Sequence, residues 1–168
     1  IRKDWLDKLG LEQPKTIDDF YNVLKAFKEQ DPDGNGANDT YGMIVTDYLD
    51  GPLNNIAIWM GAPNQYGLKD GKLAPAFMFD EYLEGLKFMN KCYNEGLINQ
   101  DMATYSSDKW NEQFLSGKAG VIIDVADRAR RLAQNIQAID PNAVVDVFGY
   151  VTKDASSEPR TLPTTGYD

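Results

Sequence analysis

Histidine is absent from the 168 residues, and cysteine occurs once, at Cys92. The first absence removes the Ser-His-Asp triad, the Cys-His dyad and every His-ligated zinc or iron centre. The second removes disulfide frameworks and thiolate clusters. No apolar run approaches the roughly 20 residues of a membrane-spanning helix. Basic residues are outnumbered, 17 Lys and Arg against 26 Asp and Glu, for a formal charge of −9. That balance opposes nucleic-acid phosphates and anionic membranes, which select basic surfaces. An apolar content of 42% with 11% aromatics nevertheless supports a folded core. Carboxylate chemistry, hard cations and binding without chemistry remain.

The missing basic residues are not missing evenly. From Glu29 to Leu68 there is no Lys or Arg, while Glu29, Asp31, Asp33, Asp39, Asp47 and Asp50 are acidic. The rest of the chain is close to balanced. The first residue is Ile1, no signal peptide follows it, and Thr164-Thr165-Gly166-Tyr167-Asp168 closes the chain without a terminal element. Both ends therefore read as internal to a longer protein.

Helices and short apolar strands alternate. Asp4 to Leu9 predicts a helix stopped by Gly10. Thr16, followed by Asp18 and Asp19, predicts a capped helix to about Gln30, with Ile17, Phe20, Val23, Leu24 and Phe27 on its buried face. Pro32 ends it. Tyr41–Thr46 reads as a strand, residues 52–60 as a helix ended by Gly61, and Asp70-Gly71 as a hairpin turn. A helix over Asp80–Asn94 carries Tyr82, Leu83, Leu86, Met89 and Tyr93 as one stripe. Ser107 reads as the cap of a helix to Leu115, Val121–Ile123 as a strand, Val125–Ile136 as a helix and Val144–Val151 as a strand. This order predicts an α/β fold with a short sheet flanked by helices on both faces.

The acidic stretch contains the most specific spacing. In Asp31-Pro32-Asp33-Gly34-Asn35-Gly36-Ala37-Asn38-Asp39, side-chain oxygens fall at loop positions 1, 3, 5 and 9, with glycine at 6 and the Ala37 carbonyl at 7. Calcium requires six to eight oxygens, and alternating oxygen-bearing residues around a glycine turn supply them. The spacing predicts a structural calcium held by Asp31, Asp33, Asn35, Ala37 and Asp39. Position 12 is Gly42 rather than a bidentate glutamate, so a remote carboxylate is needed; Asp47 and Asp50 are nearest in sequence. An Asp/Asn/Gly-rich surface turn without metal is the competing reading.

Asp124 and Asp127 follow the Val121–Ile123 strand. They fit either paired catalytic carboxylates at a strand's C-terminal end or, for Asp124, a cap on the next helix. Arg128, Arg130 and Arg131 form a basic cluster beside them. Trp59, Trp110, Tyr48 and Tyr167 are either sugar-stacking or packing aromatics, and Cys92, one turn from Phe88, reads as a buried thiol.

An ordered series of segments resembles the carbohydrate-type extracellular solute-binding proteins of bacterial ABC importers, the group that includes maltose-binding protein. The series is residues 2–10, Pro14-Lys15-Thr16 with its helix, the Asp31–Asp39 loop, Asp70-Gly71-Lys72-Leu73, Tyr93-Asn94-Glu95-Gly96-Leu97-Ile98, Gly117-Lys118-Ala119-Gly120-Val121 and Thr164-Thr165-Gly166-Tyr167. The resemblance implies one lobe of a periplasmic-binding-protein-like (type II) fold, residues 1–168 forming most of the second lobe. It implies an oligosaccharide or sugar as solute and an ABC importer permease as partner. It also implies an extracellular or cell-envelope location, with a lipid anchor in the full-length protein, a monomeric fragment and no catalysis. Carried over by position, the sugar-facing residues are Asp47, Tyr48, Asp124, Asp127 and Arg128. A carboxylate-based glycoside hydrolase and a calcium-dependent interaction module are the alternatives.

Overall fold

A computed structural model describes residues 1–159, the side chain of Asp50 excepted. Tyr167 and the Thr164–Tyr167 segment lie outside the described residues, and so does the carboxylate of Asp50 as a candidate calcium ligand. The chain opens with α1 (Lys3–Leu9), closed by Gly10 in the left-handed conformation at φ 67°. Helix α2 (Ile17–Glu29) begins where the sequence predicts. Thr16 accepts from the Asp19 N–H at 3.1 Å while the Asp19 carboxylate accepts from the Thr16 N–H at 2.9 Å, a reciprocal capping box. Its face of Ile17, Phe20, Val23, Leu24 and Phe27 is buried, each large side chain contributing roughly 1.5–3 kcal/mol of apolar transfer.

Strand β1 (Tyr41–Met43) pairs in parallel with β4 (Ala119–Val121), in the register Tyr41 with Ala119 and Met43 with Val121. Met43 also bridges Ile98 on the other side. Between them come α3 (Asp50–Trp59) and the hairpin of β2 (Tyr66–Lys69) and β3 (Lys72–Pro75). Then follow α4 (Asp80–Asn94) and α5 (Ser107–Leu115), and α6 (Ala126–Ile139) comes after β4. The hairpin turn is Asp70-Gly71, both at positive φ (53° and 75°), as an Asp-Gly turn between twisted strands requires. No helix among the described residues is long and apolar enough to cross a membrane.

Helix α2 lies directly on the β1–β4 pair, and two glycines set the distance. A Cβ on Gly42 would sit 2.5 Å from the Leu24 carbonyl oxygen, and one on Gly120 would sit 2.0 Å from Phe27 Cδ2 and 2.9 Å from Trp5 Cε3. Phe27 is fully buried, edge-on to Trp5 at 5.3 Å between ring centroids, and has nowhere to retreat. A second cluster, built on Ile44, Trp110, Phe114, Ala119, Leu132 and Ile136, joins α5 and α6 to the same strands.

Four expectations change. The strands at Tyr41 and Val121 are shorter or displaced by two residues, because pairing starts at Ala119 and stops at Val121. The α5 cap is Ser106, which accepts from the Lys109 N–H, rather than Ser107. The segment 144–152 forms no strand; it makes isolated bridges to Arg2 and Thr16, because the chain's own N-terminal segments reach only single registers of it. The buried face of α4 is Gly85, Phe88, Met89 and Cys92, leaving Leu83 49% and Leu86 42% exposed. Here α3 decides: a Cβ on Gly85 would lie 2.9 Å from the Ala57 Cα, so the helices meet across the glycine rather than across the leucines. Cys92 is buried as expected, and loss of solvent pushes its thiol up to about 12.

Gly120→Ala is expected to destabilise the fold by about 1–3 kcal/mol through overpacking against Phe27, read as a lower urea midpoint at unchanged slope. A midpoint equal to wild type would mean that α2 is not held at this distance.

Candidate functional site

Because β1 and β4 run in parallel, the loops after both strands leave from the same edge of the sheet, where ligands bind in open α/β sheets. Asp47 and Tyr48 follow β1. Both are exposed, Tyr48 at 66%, and the Tyr48 N–H donates to Thr46 Oγ1 at 3.0 Å. After β4, Asp124 stands at the start of α6. Its Oδ1 accepts from the Val125 N–H at 2.8 Å and its Oδ2 takes Nε of Arg128. The helix cap itself is Val125, which makes no side-chain cap.

Arg128 is held on three sides. Besides Asp124, its Nη1 donates to Asn111 Oδ1 at 2.6 Å, and its guanidinium lies 4.6 Å from the centroid of the Trp110 ring. Trp110 is in turn fixed by its indole N–H, which donates to the Ile44 carbonyl at 2.9 Å at the end of β1. The Arg128 and Asp124 side chains are only 16% and 23% exposed, so the pair is ordered rather than a solvated surface contact. Asp127 is separate: it pairs with Arg130 at 3.2 Å and Arg131 at 2.9 Å on the exposed side of α6. Those arginines, Arg130 first, hold its carboxyl below the usual range. Asp124 and Asp127 therefore face different arginines and are not paired with one another.

Beside Asp124 lies a cavity of about 260 Å³, walled by Trp59, Phe114, Ile123 and Phe148, with Asn55, Asp124 and Asp146 as its polar side chains. Trp59 stands edge-on to Phe20 and Phe148, at centroid distances of 5.3 and 6.0 Å, while those two rings stack on each other. Asp47, Tyr48, Asp127 and Arg128 lie outside this lining. Trp110, one of the candidate stacking aromatics, is a buried support for Arg128. Sequence reasoning missed Asn111, whose only signal was being next to Trp110, and Phe148, hidden in the segment read as a strand.

The acidic loop sits at the opposite edge, before β1. The Asp31 carboxylate accepts from three successive backbone N–H groups: Gly34 at 3.1 Å, Asn35 at 3.0 Å and Gly36 at 3.1 Å. Asp31 itself has φ 47°, and Gly34 and Gly36 have φ 77° and 79°. The Asn35 amide nitrogen donates to Asp33 Oδ2 at 2.8 Å and Asp39 Oδ1 at 3.1 Å, while its Oδ1 accepts from the Ala37 N–H at 2.7 Å. Partial desolvation, then the neighbouring Asp31 and Asp39, push Asp33 up. Desolvation works to raise Asp31, but the Gly36 N–H, the neighbouring Asp33 and the Asn35 and Gly34 N–H groups together hold it below the usual carboxylate range. Among the described residues, no three acidic or cysteine side chains converge closely enough to hold a metal unaided. The donors are nonetheless all oxygens on a curled backbone, the chemistry a hard cation accepts.

A family model described as bacterial extracellular solute-binding protein matches residues 1–156. The chain belongs to that family. It is 47% identical over 173 residues to lipoprotein LipO of Bacillus subtilis, an alignment covering 99% of this chain and 34% of LipO. To the fructooligosaccharide ABC transporter substrate-binding protein FusA of Streptococcus pneumoniae it is 37% identical over 125 residues, 70% of this chain and 22% of FusA. A solved structure of a FusA EF-hand mutant with fructo-nystose matches with a TM-score of 0.59 at 33% identity, covering 71% of this chain and 26% of that one. An extracellular solute-binding protein from Bifidobacterium longum subsp. infantis matches with a TM-score of 0.65 at 33% identity, covering 86% of this chain and 31% of that one. The chain thus spans about a third or less of the length of these relatives. Its fold is the periplasmic-binding-protein-like type II α/β fold.

Arg128→Ala is expected to destabilise by about 1 kcal/mol, since Asp124 and Asn111 lose a partly buried partner, while Asp127→Ala, on the exposed side, has a clearly smaller effect because its pairs are screened by solvent. Urea denaturation of the two variants checks this; equal effects would mean that the Asp124–Arg128 pair is no more ordered than the surface pairs of α6.

Proposed function

We propose that the chain forms one lobe, residues 1–168, of a longer two-lobed protein. That protein captures an oligosaccharide or sugar for an ABC importer permease and catalyses nothing. The observation that carries this reading is the family match across residues 1–156, together with the ordered Asp124–Arg128–Asn111–Trp110 group at the strand edge where ligands bind. FusA, named as a fructooligosaccharide ABC transporter substrate-binding protein, supports the solute class. LipO, named as a lipoprotein, supports a lipid-anchored, cell-envelope location for the full-length protein. Asp47, Tyr48, Asp124, Asp127 and Arg128 are the proposed solute-facing residues, Asp124 as acceptor and Arg128 as donor toward sugar hydroxyls. The absence of catalysis is supported by the carboxylates: Asp124 is ion-paired and Asp127 is held ionised by two arginines, so neither is arranged as a proton donor.

A single lobe presents an open wall, whereas small ligands need most of their surface enclosed. The isolated chain is therefore expected to bind fructooligosaccharides more weakly than about 1 mM, which corresponds to about 4 kcal/mol. Isothermal titration of kestose into the chain and into the longer protein tests this. Micromolar binding by the chain alone would overturn the half-cleft reading, and no saccharide binding by the longer protein would overturn the function.

The Asp31–Asp39 loop is proposed to hold a structural calcium through Asp31, Asp33, Asn35, Asp39 and the Ala37 carbonyl. The metal would neutralise the crowded carboxylates and fix the α2–β1 connection. The oxygen-only donor set and the existence of an EF-hand mutant of FusA support the reading. A melting temperature higher in calcium than in chelator is expected, with the difference lost in Asp31→Ala/Asp33→Ala. An equal difference in that variant would count against the loop.

A further inference from the structure

The calcium loop has a partner that its own sequence does not contain. Lys118 lies 79 residues beyond Asp39, yet its ammonium group rests on Asp39 Oδ2. Its backbone is fixed: the Lys118 N–H donates to the Gln113 carbonyl at 2.9 Å, and its own carbonyl accepts from the Tyr41 N–H at 2.8 Å. Lysine side chains therefore approach the loop from two sides, with different targets. Lys8 takes only backbone carbonyls, of Pro32 at 2.9 Å and Asp31 at 3.3 Å. Among the described residues, the ion pair to a carboxylate of this loop comes from Lys118.

The other Asp39 oxygen receives the Asn35 amide, which also donates to Asp33. Of the oxygens proposed for calcium, those of Asp33 and Asp39 are thus joined by a neutral amide, while the outer Asp39 oxygen faces a full positive charge. We propose that Lys118 is an internal counter-ion that competes with the divalent cation for Asp39, and so sets the affinity of the loop for calcium. This rests on the calcium reading above. An ammonium and a divalent cation on one carboxylate repel each other, so binding of the metal has to release or weaken the lysine contact. With Lys118 and Asp39 37% and 40% exposed, the pair is screened by solvent and can open. Lys118 accordingly tunes the site without closing it. Its anchor on the β1–β4 pairing keeps the lysine beside the loop in either state.

Calcium titration by calorimetry on the whole chain tests the idea in wild type, Lys118→Met, Lys118→Arg and Lys28→Met. The last is a control whose ammonium lies over the Tyr41 ring at 5.3 Å rather than on a loop carboxylate. Lys118→Met is expected to bind calcium about tenfold more tightly, by an amount that shrinks as salt is raised. Lys118→Arg and Lys28→Met stay near wild type. Binding in Lys118→Met alone overturns the tuning role and the wild-type calcium reading, since the lysine then closes the site. Wild-type binding left unchanged or weakened in a Lys118→Met that melts normally overturns the counter-ion role and leaves the calcium reading standing. An equal tightening in Lys28→Met overturns it too, since the effect is then one of general charge. No calcium heat in any variant overturns the calcium reading and the counter-ion with it. If Lys118→Met does not fold, Lys118→Gln is read in the same way.

Discussion

Everything described rests on how closely α2 approaches the two parallel strands. Leu24 and Phe27 lie so near the backbone of β1 and β4 that positions 42 and 120 admit no Cβ, and both are glycine. A close helix on one face and the Trp110–Phe114–Ala119 cluster beyond it clamp a pair of strands only three residues long each. Interiors packed to this density transmit strain rather than absorb it. The strand ends are therefore fixed points, and whatever is attached to them inherits their position.

Parallel pairing then divides those attachments into two ends with different chemistry. At the C-terminal end, Asp124 and Arg128 neutralise one another and are braced by Asn111 and Trp110, which leaves a polar but not strongly charged wall beside an aromatic cavity. At the N-terminal end, the loop carries Asp31, Asp33 and Asp39, the last two joined by the Asn35 amide, with Lys118 as an opposing charge at the base of β4. In the proposed reading, a neutral, hydroxyl-rich solute meets the first environment and a hard cation the second. The short sheet keeps the two ends apart while making them parts of one rigid unit.

Local signals were legible wherever the physics is local. The Thr16–Asp19 capping box, the Gly10 stop and the Asp70-Gly71 turn each depend on a handful of consecutive residues, and each formed as predicted. Where two elements compete for a face, local pattern failed. Leu83 and Leu86 continue the apolar stripe of α4, yet Gly85 allows α3 closer and turns the helix so that Phe88 and Cys92 go inward. Residues 144–152 have the apolar content of a strand, but a strand also needs a neighbour along several registers, and among the described residues only Arg2 and Thr16 offer one each.

The sequence by itself determined the exclusions and the loop. Without histidine and with one buried thiol, the available chemistry is that of carboxylates, and the oxygen spacing from Asp31 to Asp39 stands in consecutive residues. It also carried the family resemblance, since that lies in ordered segments spread along the chain. Only the tertiary structure decided which charges meet. Asp124 and Asp127 look alike three residues apart, but helix geometry and the Trp110 ring direct Arg128 to the first and leave the second to Arg130 and Arg131. Lys118 reaches Asp39 because Tyr41 pairs with the strand that begins beside it. Electrostatic partnership falls off with distance in space, not along the chain, so contacts across 79 residues are settled only when the strands pair.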